Sequence, residues 1–112
     1  MSSNQPPIVE DVSLAEVKRG LADGSIALID VREANEWAEG HIPGARFNPL
    51  SAFDPAALPR LPGKRVVVYC RSGRRTLNAL ALAQAAGRED VRAHFGGSML
   101  AWLAAGEPVQ RD

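Results

Sequence analysis

The chain is short and carries no net charge. Its 112 residues include thirteen basic and thirteen acidic side chains, and 46% of them are hydrophobic. This length suits one globular domain that buries about two-thirds of its unfolded surface. The charge balance gives no reason to expect nucleic-acid binding, and no apolar run approaches the roughly 18 residues of a membrane span. Because the N-terminus also lacks a signal-peptide pattern, we expect a cytoplasmic protein with no membrane partner.

The first half of the chain alternates short apolar runs with helical patterns. Residues 1–7 are expected to form a flexible lead, and residues 8–112 a single domain. Ser13 and Glu16 have the spacing of a capping box, so an amphipathic helix should follow. In chain order we predict a strand at 8–9, this helix up to a turn at 23–24, a buried strand at 26–29, a short helix at 33–39 anchored by Trp37, a turn at 40–44 and a brief strand at 45–48.

The second half begins with a proline-rich connection over 49–63, in which one helical turn is expected near 55–58. The run Val66–Tyr69 is apolar and β-rich, which is typical of a strand covered on both faces. A helix is predicted over Thr76–Ala86, ended by Gly87, with a buried face formed by Leu77, Leu80, Ala81 and Ala85.

The last part of the chain has room for one more strand and one more helix. The strand is predicted over 91–93 and is followed by a turn at 95–97. Ser98 is predicted to cap the final helix, which would bury Met99, Trp102 and Leu103. Short strands that alternate with helical segments indicate an α/β domain with a mostly parallel sheet.

The only cysteine lies in the turn between the predicted strand Val66–Tyr69 and its helix, within the segment Cys70-Arg71-Ser72-Gly73-Arg74-Arg75. A free cysteine has a pKa near ~8.5, and a helix N-terminus or neighbouring arginines can lower it to roughly 3.5–7.5. Both influences act here, so the turn is predicted to hold a reactive thiolate. The alternative is a buried cysteine that acts as a small hydrophobic residue.

The distribution of charge favours a small anionic ligand. Residues 55–88 include seven basic side chains and no acidic one. Asp30 and Cys70 both follow predicted strands, and in parallel sheets the ligand site lies beyond the carboxyl ends of the strands. We therefore expect one site at this edge, with a direct chemical role for Cys70 and a structural role for Asp30 and Arg32.

The ordered set of motifs in this chain resembles the single-domain rhodanese-like sulfurtransferase family. The resemblance is carried by five short segments: Asp30-Val31-Arg32-Glu33, Glu36-Trp37, Gly40-His41-Ile42-Pro43-Gly44-Ala45, the segment from Cys70 to Arg75, and Gly96-Gly97 with Ala101-Trp102. It implies a five-stranded sheet flanked by helices on both faces, and a catalytic cysteine in the loop that opens a helix. The activity it implies is transfer of a sulfane sulfur from thiosulfate, or a related anionic donor, to cyanide or to a small or protein thiol.

In that chemistry Cys70 carries a persulfide, and backbone N–H groups of the loop stabilise it. Arg71, with Arg74 or Arg75, would bind the anionic donor. Ser72 completes the loop and Gly73 lets it turn, while His41 and Thr76 are expected to support it. The pattern offers no metal-ligand spacing, so no metal or other cofactor is expected.

Several alternatives remain open from the sequence. The protein could be a persulfide relay between partner proteins, or a regulatory binding module on the same fold. A cysteine-dependent phosphatase or arsenate reductase is disfavoured because only four residues separate Cys70 from Arg75, whereas phosphatase loops have five. Mercaptopyruvate sulfurtransferases typically have a small residue after the cysteine, so Arg71 favours thiosulfate or a similar donor.

Overall fold

The strands form one sheet in which all neighbours run in the same direction. The structure is a computed structural model that describes residues 6–111. In chain order its strands are β1 Glu10–Asp11, β2 Ile26–Asp30, β3 Arg46–Phe47, β4 Arg65–Tyr69 and β5 Ala93–His94. They lie side by side in the order β1-β5-β4-β2-β3, and every pair is parallel. The predicted α/β class is confirmed, and the sheet is wholly rather than mostly parallel.

Among the described residues, three helices connect strands, namely α1 Leu14–Asp23, α2 Ala34–Glu39 and α3 Arg75–Ala85. Helix α4 Ser98–Ala104 follows β5, and short 3-10 turns occur at Leu50–Ala52 and Pro55–Ala57. The capping box that opens α1 is confirmed, because the Ser13 and Glu16 side chains each accept the other's backbone N–H. With 11 residues, α3 is the longest helix in the described range and is about half of what a bilayer-spanning helix needs. No helix among residues 6–111 qualifies as a membrane span.

The helices cover both faces of the sheet, as predicted. One face packs against α1 and α4 through Val17, Met99 and Trp102. The other face packs against α3 and the proline-rich connection through Ala79, Leu80, Ala83 and Leu58. Each fully buried aliphatic side chain contributes roughly 1.5–3 kcal/mol, so these two clusters stabilise the sheet from both sides.

The two central strands determine where the site lies. β2 and β4 pair over five residues each, from Ile26 opposite Arg65 to Asp30 opposite Tyr69. Except for Arg65, all of these residues are buried, which explains their apolar and β-branched composition. Because the strands are parallel and end level with each other, Asp30 and Cys70 come to the same edge of the sheet.

The prediction for the first strand was wrong by two residues. Ile8 and Val9 are 50% and 40% exposed, and the strand is instead Glu10–Asp11. Its register is determined by pairing with β5, and Val12, which follows it, is buried in the core. The lead predicted over residues 1–7 lies outside the described residues apart from Pro6 and Pro7, as does Asp112.

Four details of the other predicted elements were also wrong. The buried face of α3 consists of Thr76, Ala79, Leu80 and Ala83, whereas Leu77 is 43% exposed. In α4, Leu103 is 51% exposed, and Ser98 is the first helical residue rather than the cap. The last strand is Ala93–His94 instead of 91–93. Leucine and alanine occur on both faces of α3, so composition alone could not choose between them.

Candidate active site

Cys70 lies directly beyond the carboxyl end of β4, at the start of the loop that leads into α3. This loop, residues 70–75, will be called the cysteine loop. Cys70 is buried, whereas Arg71 and Ser72 at the outer side of the loop are exposed. The central position of β4 therefore places the thiol at the ligand-binding edge of a parallel sheet.

Backbone N–H groups of the cysteine loop and of the first turn of α3 are directed at the cysteine sulfur. The Gly73 N–H donates to Cys70 Sγ at 3.1 Å. The Ser72 and Thr76 backbone N–H groups also act on the thiol. A sulfur surrounded by several peptide donors is suited to carrying negative charge.

These donors determine the ionisation of the thiol. Burial raises the pKa of Cys70, but hydrogen bonds from the backbone N–H groups of Thr76, Gly73 and Ser72 lower it. The net effect is a pKa below the usual range of a cysteine. Proximity to N–H donors therefore overcomes the cost of placing a charge in a buried position.

The carbonyl groups at the start of the loop accept hydrogen bonds from α4. The Met99 N–H donates to the Cys70 carbonyl at 2.9 Å, and the Leu100 N–H donates to the Arg71 carbonyl at 3.0 Å. The Ser98 hydroxyl accepts the Cys70 N–H at 3.1 Å and donates to the Phe95 carbonyl at 2.8 Å. These hydrogen bonds anchor the start of the cysteine loop to the first turn of α4.

Ser98 adopts an unusual backbone conformation to make these contacts. Its φ is +53°, the only positive φ of a non-glycine residue among those the structure describes, and its side chain is fully buried. Such a conformation persists only where surrounding contacts enforce it. The sequence suggested an ordinary helix cap here and did not reveal the contact with the cysteine loop.

Gly73 is required by the shape of the loop. Its φ is +89°, and a Cβ at this position would collide with the carbonyl oxygen of Gly96 in the turn between β5 and α4. The predicted turning role of Gly73 therefore has a second physical cause, which is the close approach of two backbones.

Thr76 binds the middle of the loop to the end of β5. Its hydroxyl lies 2.9 Å from the Gly73 carbonyl oxygen and 2.7 Å from His94 Nδ1. Both side chains are buried. The sequence predicted a supporting role for Thr76, but the spacing of the two residues did not indicate that His94 meets it.

The three arginines of the loop have different surroundings. Arg75 makes a bidentate ion pair with Glu36 of α2, at 2.8 and 2.9 Å, and this pair lowers the pKa of Glu36 to about 2. Arg71 and Arg74 are exposed. In the sequence, Glu36 stands out only as part of a family motif. Its negative charge is the signal that could have identified it as a partner for one of the loop arginines.

Arg71 lines a cleft of about 270 Å³ beside the loop. Basic, acidic and apolar side chains from α2, α4 and the end of the chain form its walls, among them Glu39, Met99, Leu103 and Arg111. The cleft leads to the outer side of the cysteine loop, where an anionic ligand could meet the Arg71 guanidinium.

Asp30, Arg32 and His41 flank α2, the first two before the helix and His41 after it. Arg32 pairs with Asp30 at 2.7 Å in a buried ion pair and also donates to the Gly40 carbonyl. His41 stacks on Trp37 with ring centroids 3.5 Å apart. The Arg32 contact with Gly40 joins the two ends of α2, and the His41 backbone also pairs with Gln110.

Comparison with known proteins agrees with this geometry. Residues 13–105 match the family model described as a rhodanese-like domain. The chain is 36% identical to a human thiosulfate:glutathione sulfurtransferase, over 82% of this chain and 91% of the relative. It is 33% identical to a sulfurtransferase of Allochromatium vinosum, over 91% of this chain and 95% of the relative.

A solved structure supports the same assignment. The structure of a human single-domain sulfurtransferase superposes with a TM-score of 0.70 at 35% identity and covers 84% of this chain and 95% of that one. The chain spans only 47% and 21% of the length of two other curated relatives, so the activities of those longer proteins are not transferred to it. The chain therefore belongs to the rhodanese-like domain family and is homologous to single-domain sulfurtransferases.

Proposed function

We propose that this protein transfers a sulfane sulfur from thiosulfate, or a related anionic donor, to cyanide or a thiol through a persulfide on Cys70. The observation that carries the proposal is the sulfur of Cys70 surrounded by the backbone N–H groups of Ser72, Gly73 and Thr76. The same donors that favour a thiolate would stabilise the terminal sulfur of a persulfide, which is also an anion.

The reaction consists of two displacements. The Cys70 thiolate attacks the outer sulfur of thiosulfate, a sulfur–sulfur bond forms at Sγ, and the sulfur–sulfur bond of thiosulfate breaks with sulfite leaving as the dianion. In the second step cyanide attacks the terminal sulfur, thiocyanate leaves, and the thiolate returns. No proton is transferred in either step, so the site needs N–H donors rather than a general base.

Two features favour an anionic donor. Arg71 is exposed at the cleft, where its planar guanidinium can pair with the sulfonate oxygens of thiosulfate. The human relative is named for thiosulfate and glutathione, which supports thiosulfate as donor and a thiol as acceptor here. The cycle starts from a reduced thiolate, and this favours a reducing compartment such as the cytoplasm.

The burial of Cys70 adds a requirement to this mechanism. Because its side chain is covered, a donor reaches Sγ only after the structure around the thiol opens. We infer that donor binding at Arg71 accompanies this opening.

The phosphatase alternative has less support. A phosphatase needs an arginine that faces the phosphoryl group above the cysteine, but Arg75 is bound to Glu36 through both terminal nitrogens. The six-residue loop also suits one sulfur atom better than a phosphoryl group. A regulatory module would not require N–H donors around a thiol, whereas a persulfide relay uses the same first displacement.

Mass spectrometry of the intact protein tests the proposal. After incubation with thiosulfate, wild-type protein should gain one sulfur atom, and cyanide should remove it with formation of thiocyanate. The Cys70→Ser variant, which should fold normally because serine is nearly isosteric, should gain none. A wild-type protein that takes up no sulfur, or a Cys70→Ser variant that still produces thiocyanate, would refute the assignment.

A further inference from the structure

A buried histidine lies beneath the cysteine loop without touching the thiol. His94 ends strand β5, is 8% exposed, and places Nδ1 at 2.7 Å from the Thr76 hydroxyl oxygen. That hydroxyl also lies 2.9 Å from the Gly73 carbonyl oxygen. These two contacts link strand β5 to the cysteine loop through the Thr76 side chain.

The hydrogen atoms of these two contacts can be assigned by elimination. A carbonyl oxygen only accepts, so the contact with Gly73 requires the Thr76 hydroxyl to donate its one hydrogen there. The hydroxyl has no second hydrogen for His94. The 2.7 Å contact therefore requires a hydrogen on Nδ1, which donates to the hydroxyl oxygen.

We propose that His94 is a positioning residue. Its Nδ1–H donates to the Thr76 hydroxyl oxygen, so that the hydroxyl hydrogen is donated to the Gly73 carbonyl. Thr76 and Gly73 also supply backbone N–H groups to the cysteine sulfur. The contact between the Thr76 hydroxyl and the Gly73 carbonyl therefore ties together two residues whose N–H groups act on the sulfur. The opposite tautomer would compete for the Thr76 hydrogen and release the Gly73 carbonyl.

The surroundings of His94 are consistent with this tautomer. Its other nitrogen, Nε2, lies 3.8 Å from Oδ1 of Asp11 on the adjacent strand β1, too far for a hydrogen bond. That carboxylate oxygen already accepts the Gly96 N–H at 2.9 Å. The charged or titratable groups around these contacts include Asp11 on β1, Cys70 beyond Thr76, and Arg75, which interacts electrostatically with Cys70.

The tautomer can be observed directly. A long-range proton–nitrogen NMR spectrum at pH 8 distinguishes a protonated from an unprotonated Nδ1, and the chain has only two histidines, so the His94→Asn spectrum assigns the signals. We expect His94 to carry its hydrogen on Nδ1. A hydrogen on Nε2 alone would overturn the proposal, whatever the protein's activity.

Two variants whose side chains have similar shapes distinguish the effect of the hydrogen bond from the effect of packing. In His94→Asn the amide nitrogen takes the place of Nδ1 and can still donate, whereas His94→Leu has nearly the same shape and cannot. The readout is the pH midpoint of iodoacetamide alkylation, which reports Cys70 alone because the chain has one cysteine. Leucine should raise the midpoint by about half a pH unit, and asparagine should restore it nearly to the wild-type value.

A double-mutant cycle tests whether His94 acts through Thr76. Thr76→Val removes the hydroxyl with little change in shape and should raise the alkylation midpoint by about one unit. Adding His94→Leu to it should have no further effect. Additive shifts, equal shifts for asparagine and leucine, or a leucine variant with an unchanged midpoint would each overturn the proposal. If His94→Leu does not fold, the NMR spectrum and the comparison of Thr76→Val with Thr76→Ser still decide it.

The role proposed for His94 rests on the proposed sulfur transfer, but the experiments distinguish a failure of one proposal from a failure of the other. Alkylation and the NMR tautomer are measured without any sulfur donor. If wild-type protein gains no sulfur while the His94 variants shift the alkylation midpoint, the proposed function fails and the positioning role stands. If sulfur is gained and the midpoints do not move, only the positioning role fails.

Discussion

At the scale of the residue, the charge on Cys70 depends on its backbone neighbours more than on the arginines beside it in sequence. Peptide N–H groups of Ser72, Gly73 and Thr76 act directly on the sulfur. Arg75, one of the three neighbouring arginines, is held by Glu36. Three cations and a cysteine in one segment suggested the right chemistry, but the donors that favour the thiolate are uncharged.

The lowered pKa of Cys70 predicts reactivity at unusually low pH. Alkylation by iodoacetamide should have its midpoint below the ~8.5 of a free cysteine, because the folded loop favours the thiolate. The same protein unfolded in urea serves as the control, since its cysteine has lost the N–H donors. Equal midpoints for the folded and unfolded chains would contradict the prediction.

Arg71 should affect donor binding more than folding. Arg71→Ala is expected to raise the thiosulfate KM about tenfold, which corresponds to roughly 1.4 kcal/mol for one charged hydrogen-bonded contact, with little change in melting temperature. Arg19→Ala, on α1, controls for the change in net charge and should leave KM unaltered. An unchanged KM in Arg71→Ala would place the donor site elsewhere.

At the scale of the element, the cysteine loop is held by its neighbours rather than by its own sequence. The first turn of α4 binds the carbonyls of Cys70 and Arg71, and the turn before it lies directly against Gly73. None of these contacts is local in sequence. The loop therefore depends on α4 being docked, although α4 has only seven residues.

Alanine substitutions at two glycines of similar φ should distinguish the cost of backbone strain from the cost of the collision at Gly73. Gly73→Ala places Cβ against the Gly96 carbonyl and should reduce sulfur transfer more than tenfold and stability by about 2–4 kcal/mol. Gly87→Ala is the matched control, because its φ of +92° is nearly the same and the space around its Cβ is open. The control should lose only about 1–2 kcal/mol and retain activity. Equal losses would show that the collision is unimportant.

At the scale of the whole molecule, the sheet order brings distant segments around one thiol. β4 lies between β5 and β2, so the loop after β4 meets the end of β5 on one side and the α2 region on the other. Residues from four parts of the chain therefore act on Cys70 or its loop, namely Glu36, Thr76, His94 and Ser98.

The ion pair between α2 and α3 predicts a stability difference in acid. The pKa of Glu36 is lowered to about 2, so the pair stabilises the fold above the unfolded pKa of about 4.3, and this contribution is lost as the pH falls towards 2. Glu36→Gln should lower the free energy of unfolding by about 0.5–1 kcal/mol at pH 7, a modest value because both side chains are partly exposed.

The difference between Glu36→Gln and wild type should shrink as the pH falls from 4.5 to about 2, as denaturant titrations can measure. Glu39→Gln, on the exposed part of the same helix, removes one carboxylate without removing the pair and should have little effect. A constant difference between Glu36→Gln and wild type across this pH range would show that the ion pair does not contribute.

The sequence alone determined the class of fold, the capping box of α1, the strand that leads into Cys70 and the family resemblance. These features are local, because strand propensity, cap spacing and turn residues each depend on a few neighbouring positions. Tertiary structure decided which face of α3 is buried, that Ser98 binds the Cys70 N–H, that Arg75 pairs with Glu36 and that His94 contacts Thr76. Each of these depends on which residues meet across the sheet, and the spacing of residues along the chain contains no direct record of such contacts.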